Sequence, residues 1–387
     1  MKMILIVLDS VGIGEAPDAA DYGDVGGATL QHIGEAVNGL KLPTLQKLGL
    51  GNIRPNVPIP GISAAEEPMA SFGMMKEASI GKDTITGHWE ICGLEINPGF
   101  HNFPMDFPSF PADLLETFSQ KTGRPIIGNK AASGIAIIDE LAEEQAQTGA
   151  WIAYTSADSV LQLAAHNDII PLNELYQGCE IARHLCNPLK VGRVIARPFI
   201  GKPGAYERTE DRRDYAFSPE EPLLTERLTD AGIPVYAVGK IEDIVAHRGI
   251  TENIHSGNTA ESQQGVETFM TREGDGLIFA NFIDFDMLYG HRRDPQGYAA
   301  ALQQTDEWLA RFLPMLGTDD VLLLTADHGN DPTFPGTDHT REYVPLLVYQ
   351  PGKPAEDLGI RKGFYDIAQS IATRFGLPEL PRGRSFL

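Results

Sequence analysis

Cysteine is scarce in this chain: Cys92, Cys179 and Cys186 are the only three in 387 residues. The count is odd and the spacing is not that of a metal site, which fits a reducing, cytoplasmic setting. Long apolar runs are missing too. None reaches the length needed to cross a bilayer, so no membrane partner is expected. The opening MKMILIVLDSVGIG is apolar but short, is interrupted by Asp9 and lacks a small-residue cleavage site, which argues against a signal peptide. Positive charge is in deficit, with 31 Lys and Arg against 53 Asp and Glu and a net charge of −22. No global field attracts a polyanion, so no nucleic acid partner is expected. The 40 glycines and 27 prolines recur with no fixed period, which excludes solenoid and collagen architectures. The acidity has one chemical consequence. Such a protein can bind an anionic substrate only by building a local cationic site, from metal ions or from clustered arginines.

What is present is a pattern of buried strands. MILIVLD (3–9) is a continuous apolar run ending in a carboxylate, as in a parallel strand covered on both faces. Residues 233–239, 276–286, 320–329 and 343–350 look similar. Helical patterns lie between them. In YAAALQQTDEWLARFL, Tyr298, Leu302, Trp308, Leu309 and Phe312 can share one face. Alternating strands and helices predict an α/β domain with a mostly parallel sheet. With 387 residues, 42% of them hydrophobic, two domains are expected. The middle of the chain opens on the aromatic, proline-rich NPGFHNFPMDFPSFP and closes near RTEDRRDYAFSPEEP. Residues 100–217 are therefore expected to form an inserted domain, with 1–99 and 218–387 making the core.

In open α/β sheets, ligands sit at the carboxyl ends of the strands. Those ends carry Asp9, then Asp284, Asp286 and His291, then Asp327, His328 and Asp331, with Asp338 and His339 shortly after. Each alone reads as a turn, a cap or a solvated residue. Gathered at one edge they would repel or shift one another's protons, and divalent cations resolve that conflict. The count suggests two metals, because one ion rarely takes more than four protein side chains. DSVGIGEAPD (9–18) does not satisfy G-x-G-x-x-G, since Pro17 stands at the third glycine, and no P-loop motif is present.

GKDTITGHWE (81–90) can start a helix near Asp83 or Thr84. The plain role of Asp83 and Thr84 is to cap it. The same N-terminus, with free N–H groups, suits a phosphate. A threonine hydroxyl becomes a nucleophile only when a metal or a base lowers its pKa. The spacing alone does not choose between Thr84 and Thr86. In the middle domain, residues 190–213 hold Lys190, Arg193, Arg197, Lys202, Arg208, Arg212 and Arg213. This is either a solvated face or a site for bidentate phosphate recognition. Lys240, just past a strand, is a further candidate, and YTSADSVLQLAAH adds Asp158 for sugar hydroxyls or for orienting a cation.

DSVGIGEAPD, GKDTITGHWE, IIGNKAASG, YTSADSVLQLAAH, VGRVIARPF, FDMLYGHRRDPQGY and TADHGNDPTFPGTDHTREYVPLL together resemble the phosphopentomutases, a family of the alkaline phosphatase superfamily of metalloenzymes. The resemblance runs from about residue 4 to the terminal GRSFL. It implies an alkaline-phosphatase-like α/β core, with a mostly parallel sheet flanked by helices, and a smaller inserted α+β cap. It implies two divalent cations, usually Mn2+, one held by Asp286, His291 and His339 and the other by Asp9, Thr84, Asp327 and His328. It also implies that Thr84 is the phosphorylated residue, that Asp158, Arg193 and Arg208 handle substrate, and that a sugar bisphosphate such as glucose 1,6-bisphosphate is the activator. The implied reaction interconverts α-D-ribose 1-phosphate and D-ribose 5-phosphate, and the 2-deoxyribose pair, through a pentose 1,5-bisphosphate. The small-molecule partners are then pentose phosphates, and the chain is expected to be a cytoplasmic monomer. The rival activities are a two-metal, cofactor-independent phosphoglycerate mutase and a phosphomonoesterase; a metal-storage or scaffold protein is the non-enzymatic alternative.

Overall fold

The opening apolar run is a strand, Lys2–Leu8, with every residue buried. It lies in the middle of a sheet, parallel to Gly276–Phe282 on one side and to Val321–Thr325 on the other. The computed structural model describes residues 1–156, 159–219 and 221–387. These form two compact units, residues 1–97 with 219–387 and residues 98–218.

The first unit holds eight strands in the order Glu252–Ile254, Val235–Val238, Gly276–Phe282, Lys2–Leu8, Val321–Thr325, Val344–Tyr349, Ser71–Met75 and Asp357–Arg361. All run the same way except Val344–Tyr349, which is antiparallel to both neighbours. Residues 343–350 therefore depart from the expected parallel pattern. A strand covered on both faces is apolar throughout whichever way it runs, so composition does not carry direction. Because Lys2–Leu8, Gly276–Phe282 and Val321–Thr325 are parallel, their carboxyl ends meet at one edge. The residues that follow them, Asp9, Asp286, Asp327 and His328, are thereby brought together from positions far apart in the chain.

Helices support that edge. Pro295–Phe312 begins with proline in its first turn and is capped by Asp294, whose carboxylate accepts from the Gly297 N–H at 2.9 Å. Tyr298, Leu302, Trp308, Leu309 and Phe312 are all buried along one stripe. Burial of each Leu or Phe there contributes about 1.5–3 kcal/mol. Thr84–Ile91 is capped by Asp83, which accepts from the N–H groups of Ile85 at 3.0 Å and Thr86 at 3.1 Å. No helix of the described residues is long and apolar enough to cross a membrane.

The second unit is built on a mixed six-stranded sheet. Its strand Trp151–Thr155 is buried throughout, and alternate residues enter two separate cores. Trp151 and Ala153 pack with Leu114, Phe118, Leu175 and Cys179 from helices Ala112–Thr122 and Leu172–Cys186. Ile152 and Tyr154 pack with Ile137, Ile138 and Ala142 from helix Gly134–Thr148 on the other face. The period-two alternation of a strand produces both faces at once. Cys179 and Cys186 are core residues here, and burial raises both thiols, Cys186 to about 11.

Candidate active site and metal centre

Two triads lie at the edge where the parallel strands end. Asp286, His291 and His339 form one, and Asp9, Asp327 and His328 form the other; within each, the ligand atoms lie inside 4.8 Å of one another. His291 Nε2 is 3.1 Å and His339 Nε2 3.4 Å from the Asp286 carboxylate. His328 Nε2 is 3.2 Å from Asp327 Oδ2 and 3.6 Å from Asp9 Oδ1. The triads adjoin, since the rings of His328 and His339 stack with centroids 3.9 Å apart. Ser10, directly after Asp9, has a φ of 72°, in the left-handed region that non-glycine residues rarely occupy. It is held there by burial and by a 3.0 Å hydrogen bond between its hydroxyl and that of Tyr298.

Three buried carboxylates near one another are electrostatically frustrated. Burial, followed by the charges of Asp327 and Asp286, holds the Asp9 carboxyl well above its usual range. Burial also opposes charge on Asp286, but the neighbouring His291 and His339 imidazoles pull it well below the ordinary range. Burial opposes charge on Asp327 in the same way, and His328 and His88 outweigh it, so that group is lowered as well. His328 is raised to about 9 by Asp327 despite its burial. A cluster so rich in buried carboxylates demands positive charge, and a divalent cation is a group that would supply it.

The donor set fits such an ion. Asp9 Oδ1, Asp327 Oδ2 and His339 Nε2 are buried and make no hydrogen bond among the described residues. Two of the three candidate histidines anchor their other ring nitrogen on a carbonyl: His291 Nδ1 lies 2.6 Å from the Thr337 oxygen and His328 Nδ1 3.1 Å from that of Gly329. In both rings Nε2 is then the nitrogen turned toward the carboxylates, the arrangement of metal-binding histidines. Asn330 Nδ2 donates to Asp286 Oδ1 at 2.7 Å, and the Ser10 N–H donates to Asp327 Oδ1 at 3.1 Å.

The two threonines of GKDTITGHWE have different surroundings. The Thr84 hydroxyl is 3.3 Å from His328 Nε2. The Thr86 hydroxyl donates to Asp83 Oδ2 at 2.6 Å, and Thr86 is fully buried. Because Asp83 already takes the Ile85 and Thr86 N–H groups, the helix N-terminus is less open to a bound phosphate than the sequence suggests. Gly87, one turn on, faces the loop that carries Asp327 and His328. A Cβ there would meet the Asp327 carbonyl oxygen at 2.3 Å and the Asp327 Cβ at 2.9 Å. Gly87→Ala is therefore expected to push the Thr84 helix off that loop and lower kcat by about a hundredfold or more, which steady-state kinetics beside a melting curve will measure.

The other sequence candidates fall elsewhere. Asp284 accepts the Thr259 N–H at 2.9 Å, serving the start of helix Thr259–Met270. Asp331 accepts from the Ala28 and Thr333 N–H groups and contacts His32. Asp338 pairs with Lys82 at 3.2 Å. Lys240 is exposed just beyond Val235–Val238, and among the described residues its side chain makes no hydrogen bond or ion pair with either triad. In the second unit, Arg208 lines a cavity of about 810 Å³ together with Arg197, Arg212 and Tyr206. Arg193 is four residues before Arg197 on the same strand, hence on the same sheet face, and lies 3.9 Å from Asp214. Asp158 lies outside the described residues. Sequence reasoning missed His88, Asn281 and Asn330. Only the i, i+4 spacing of Thr84 and His88 offers a signal for any of them.

Residues 1–379 match the metalloenzyme superfamily model. A phosphopentomutase from Caldanaerobacter subterraneus subsp. tengcongensis is 51% identical over 388 residues, spanning 100% of this chain and 97% of that protein. Among solved structures, a protein from Pyrococcus horikoshii superposes with a TM-score of 0.51 at 14% identity, covering 98% of this chain and 97% of the other. A phosphoglycerate mutase from Leishmania mexicana gives 0.47 at 12% identity, over 99% and 96%. The likeness to the Pyrococcus protein is one of fold. The chain is thus a member of the metalloenzyme superfamily, with an α/β core. Within that superfamily it belongs to the phosphopentomutase family, isomerases that act as intramolecular phosphotransferases.

Proposed function

We propose that the chain interconverts α-D-ribose 1-phosphate and D-ribose 5-phosphate, and the corresponding 2-deoxyribose phosphates, with Thr84 as the residue that carries the phosphoryl group between them. The observation that carries this reading is the position of the Thr84 hydroxyl, 3.3 Å from His328 Nε2, while the neighbouring Thr86 hydroxyl is committed to Asp83. Asp286, His291 and His339 would hold one cation; Asp9, Asp327 and His328, with Thr84, would hold the other. When bound, such a pair, taken to be Mn2+, neutralises charge on the phosphoryl oxygens and lowers the pKa of the threonine hydroxyl.

The chain's own residues do the rest. Asp83 fixes the first turn of the helix, so that Thr84 is presented in one orientation. The partly buried setting of Thr84 limits the access of water to a phosphothreonine there. Phosphothreonine passes its phosphoryl group to the free hydroxyl of the pentose monophosphate, giving the 1,5-bisphosphate, and the other phosphate then returns to Thr84. A sugar bisphosphate such as glucose 1,6-bisphosphate would prime the cycle.

Residues 98–218 serve as the substrate-gripping cap in this reading, with Arg193 and Arg208 on the phosphate that is not reacting, Asp158 on the sugar and Lys240 assisting from the core. Arg208→Ala removes a charge-assisted contact with that phosphate. It should lower kcat/KM about ten- to a hundredfold and leave the melting temperature unchanged, because the residue is exposed. The buried, unpaired thiols suit a reducing, cytoplasmic location, and a monomer is the working unit. The deciding assay couples ribose 5-phosphate conversion to a detection enzyme, with Mn2+ and a bisphosphate primer, beside a chelated control and 3-phosphoglycerate. Turnover of the pentose phosphate alone supports the reading, whereas turnover of 3-phosphoglycerate alone overturns it.

A further inference from the structure

His88 is a fully buried imidazole that belongs to neither triad, and it touches three of the groups on which the site depends. Its Nδ1 lies 2.9 Å from the Thr84 carbonyl oxygen and 3.1 Å from Asp327 Oδ2. Its Nε2 lies 3.2 Å from Asn281 Nδ2. Asn281 is also fully buried, near the end of strand Gly276–Phe282, and its Nδ2 donates to Asp9 Oδ2 at 3.0 Å. The partners assign the hydrogens. The Asn281 amide nitrogen has two, one for Asp9 and one for His88. The opposite orientation of the amide would set its oxygen against the Asp9 carboxylate. His88 Nε2 is then an acceptor, so Nδ1 carries the ring proton and donates it to the Thr84 carbonyl, with Asp327 alongside.

We infer that His88 and Asn281 act as a positioning pair that fixes the register of Thr84 against the Asp9–Asp327–His328 triad. The hydrogen-bonded line Asp9–Asn281–His88–Thr84 joins two strand ends to the first turn of the Thr84 helix; its Asp9–Asn281 and Asn281–His88 links are buried and its His88–Thr84 link is partly buried. Helix geometry makes it possible: residues four apart lie on one face, so His88 sits one turn beyond Thr84 and looks inward with it. Loss of a residue that orients a metal ligand in this way typically changes metal affinity or activity by about 10–100-fold. The pair touches ligands of one triad only. Its loss should therefore weaken one cation site and leave the Asp286–His291–His339 site as it was. This inference rests on the reading of Thr84 as the phosphorylated residue only for its second readout.

The test is calorimetric titration of the full chain with Mn2+, together with the rate of Thr84 phosphorylation by a sugar bisphosphate, followed by peptide mass spectrometry. His88→Leu removes both hydrogen bonds while keeping apolar bulk, and Asn281→Leu removes the other member. His88→Asn keeps a donor near the Nδ1 position. His88→Leu and Asn281→Leu should each weaken one of two Mn2+ sites 10–100-fold, leave the other unchanged and slow phosphorylation about as much. His88→Asn should recover most of both. Melting curves show which variants fold, and if His88→Leu does not, Asn281→Leu supplies the same arm. Two unchanged Mn2+ sites in the folded leucine variants would overturn the inference, as would an asparagine variant no better than leucine. Failure of the wild-type chain to become phosphorylated would instead count against the phosphothreonine reading, while the metal titration would still judge the pair.

Discussion

Thr84→Ala should abolish mutase turnover, by about four orders of magnitude or more, while leaving the fold and the uptake of cations at Asp286–His291–His339 intact. Loss of a nucleophile removes the covalent route altogether, and the residual rate is whatever binding and electrostatics supply on their own. The size of the effect follows from the site. Among the described residues, the Thr84 hydroxyl is the alcohol set against His328 Nε2, and the nearest alternative, Thr86, is buried and donates to Asp83. Thr84→Ser should keep measurable activity, because the hydroxyl survives although the methyl group that restricts its rotamer does not. Thr86→Ala provides the contrast. It loses a hydrogen bond in the helix cap, which should cost about 1 kcal/mol of stability and leave phosphorylation in place. A thermal melt and a coupled assay on the three variants separate these outcomes.

Removal of divalent cations should have the second largest effect. Chelation is expected to lower turnover by at least three orders of magnitude, with recovery on adding Mn2+. It should also destabilise the chain. Without cations the site buries three carboxylates near one another, and Asp9 is held well above its usual range by burial and by Asp327 and Asp286. A cation that binds only the folded state stabilises it by about 2.7 kcal/mol per site at one hundred times its dissociation constant. The melting temperature should therefore rise by several degrees on adding Mn2+ to the chelated protein. Asp327→Asn should lose most of that increment at its own triad, because Asp327 Oδ2 is one of the buried ligand atoms without a hydrogen bond. A melting temperature that does not respond to Mn2+ would count against both triads as metal sites.

Much of this site is legible in the sequence because parallel strands obey a simple rule. Once MILIVLD, GLIFANF and VLLLT are taken as parallel, Asp9, Asp286, Asp327 and His328 must converge, whatever their distance along the chain. The stripe from Tyr298 to Phe312 is legible for a similar reason, since its helical period is local. Direction in a buried strand is not local, which is why Val344–Tyr349 runs opposite to expectation. The choice between Thr84 and Thr86 turns on where the Asp83 carboxylate points, and no spacing rule encodes that. Asp284, Asp331 and Asp338 share the strand-end pattern with the two triads, yet they serve backbone N–H groups, His32 and Lys82 instead. A carboxylate suits either use equally well, and only its neighbours decide. His88 and Asn281 are hidden for the converse reason. A histidine within a helix and an asparagine within a strand look like ordinary polar residues until the fold brings them together.

The most direct test is to quench the wild-type chain during turnover of ribose 5-phosphate, with Mn2+ and an isotopically labelled bisphosphate primer, and to map the label by peptide mass spectrometry. Phosphate on Thr84, appearing and disappearing as fast as the sugar phosphates interconvert, is the predicted result. Label on Thr86, or turnover with no label on the chain at all, would contradict it.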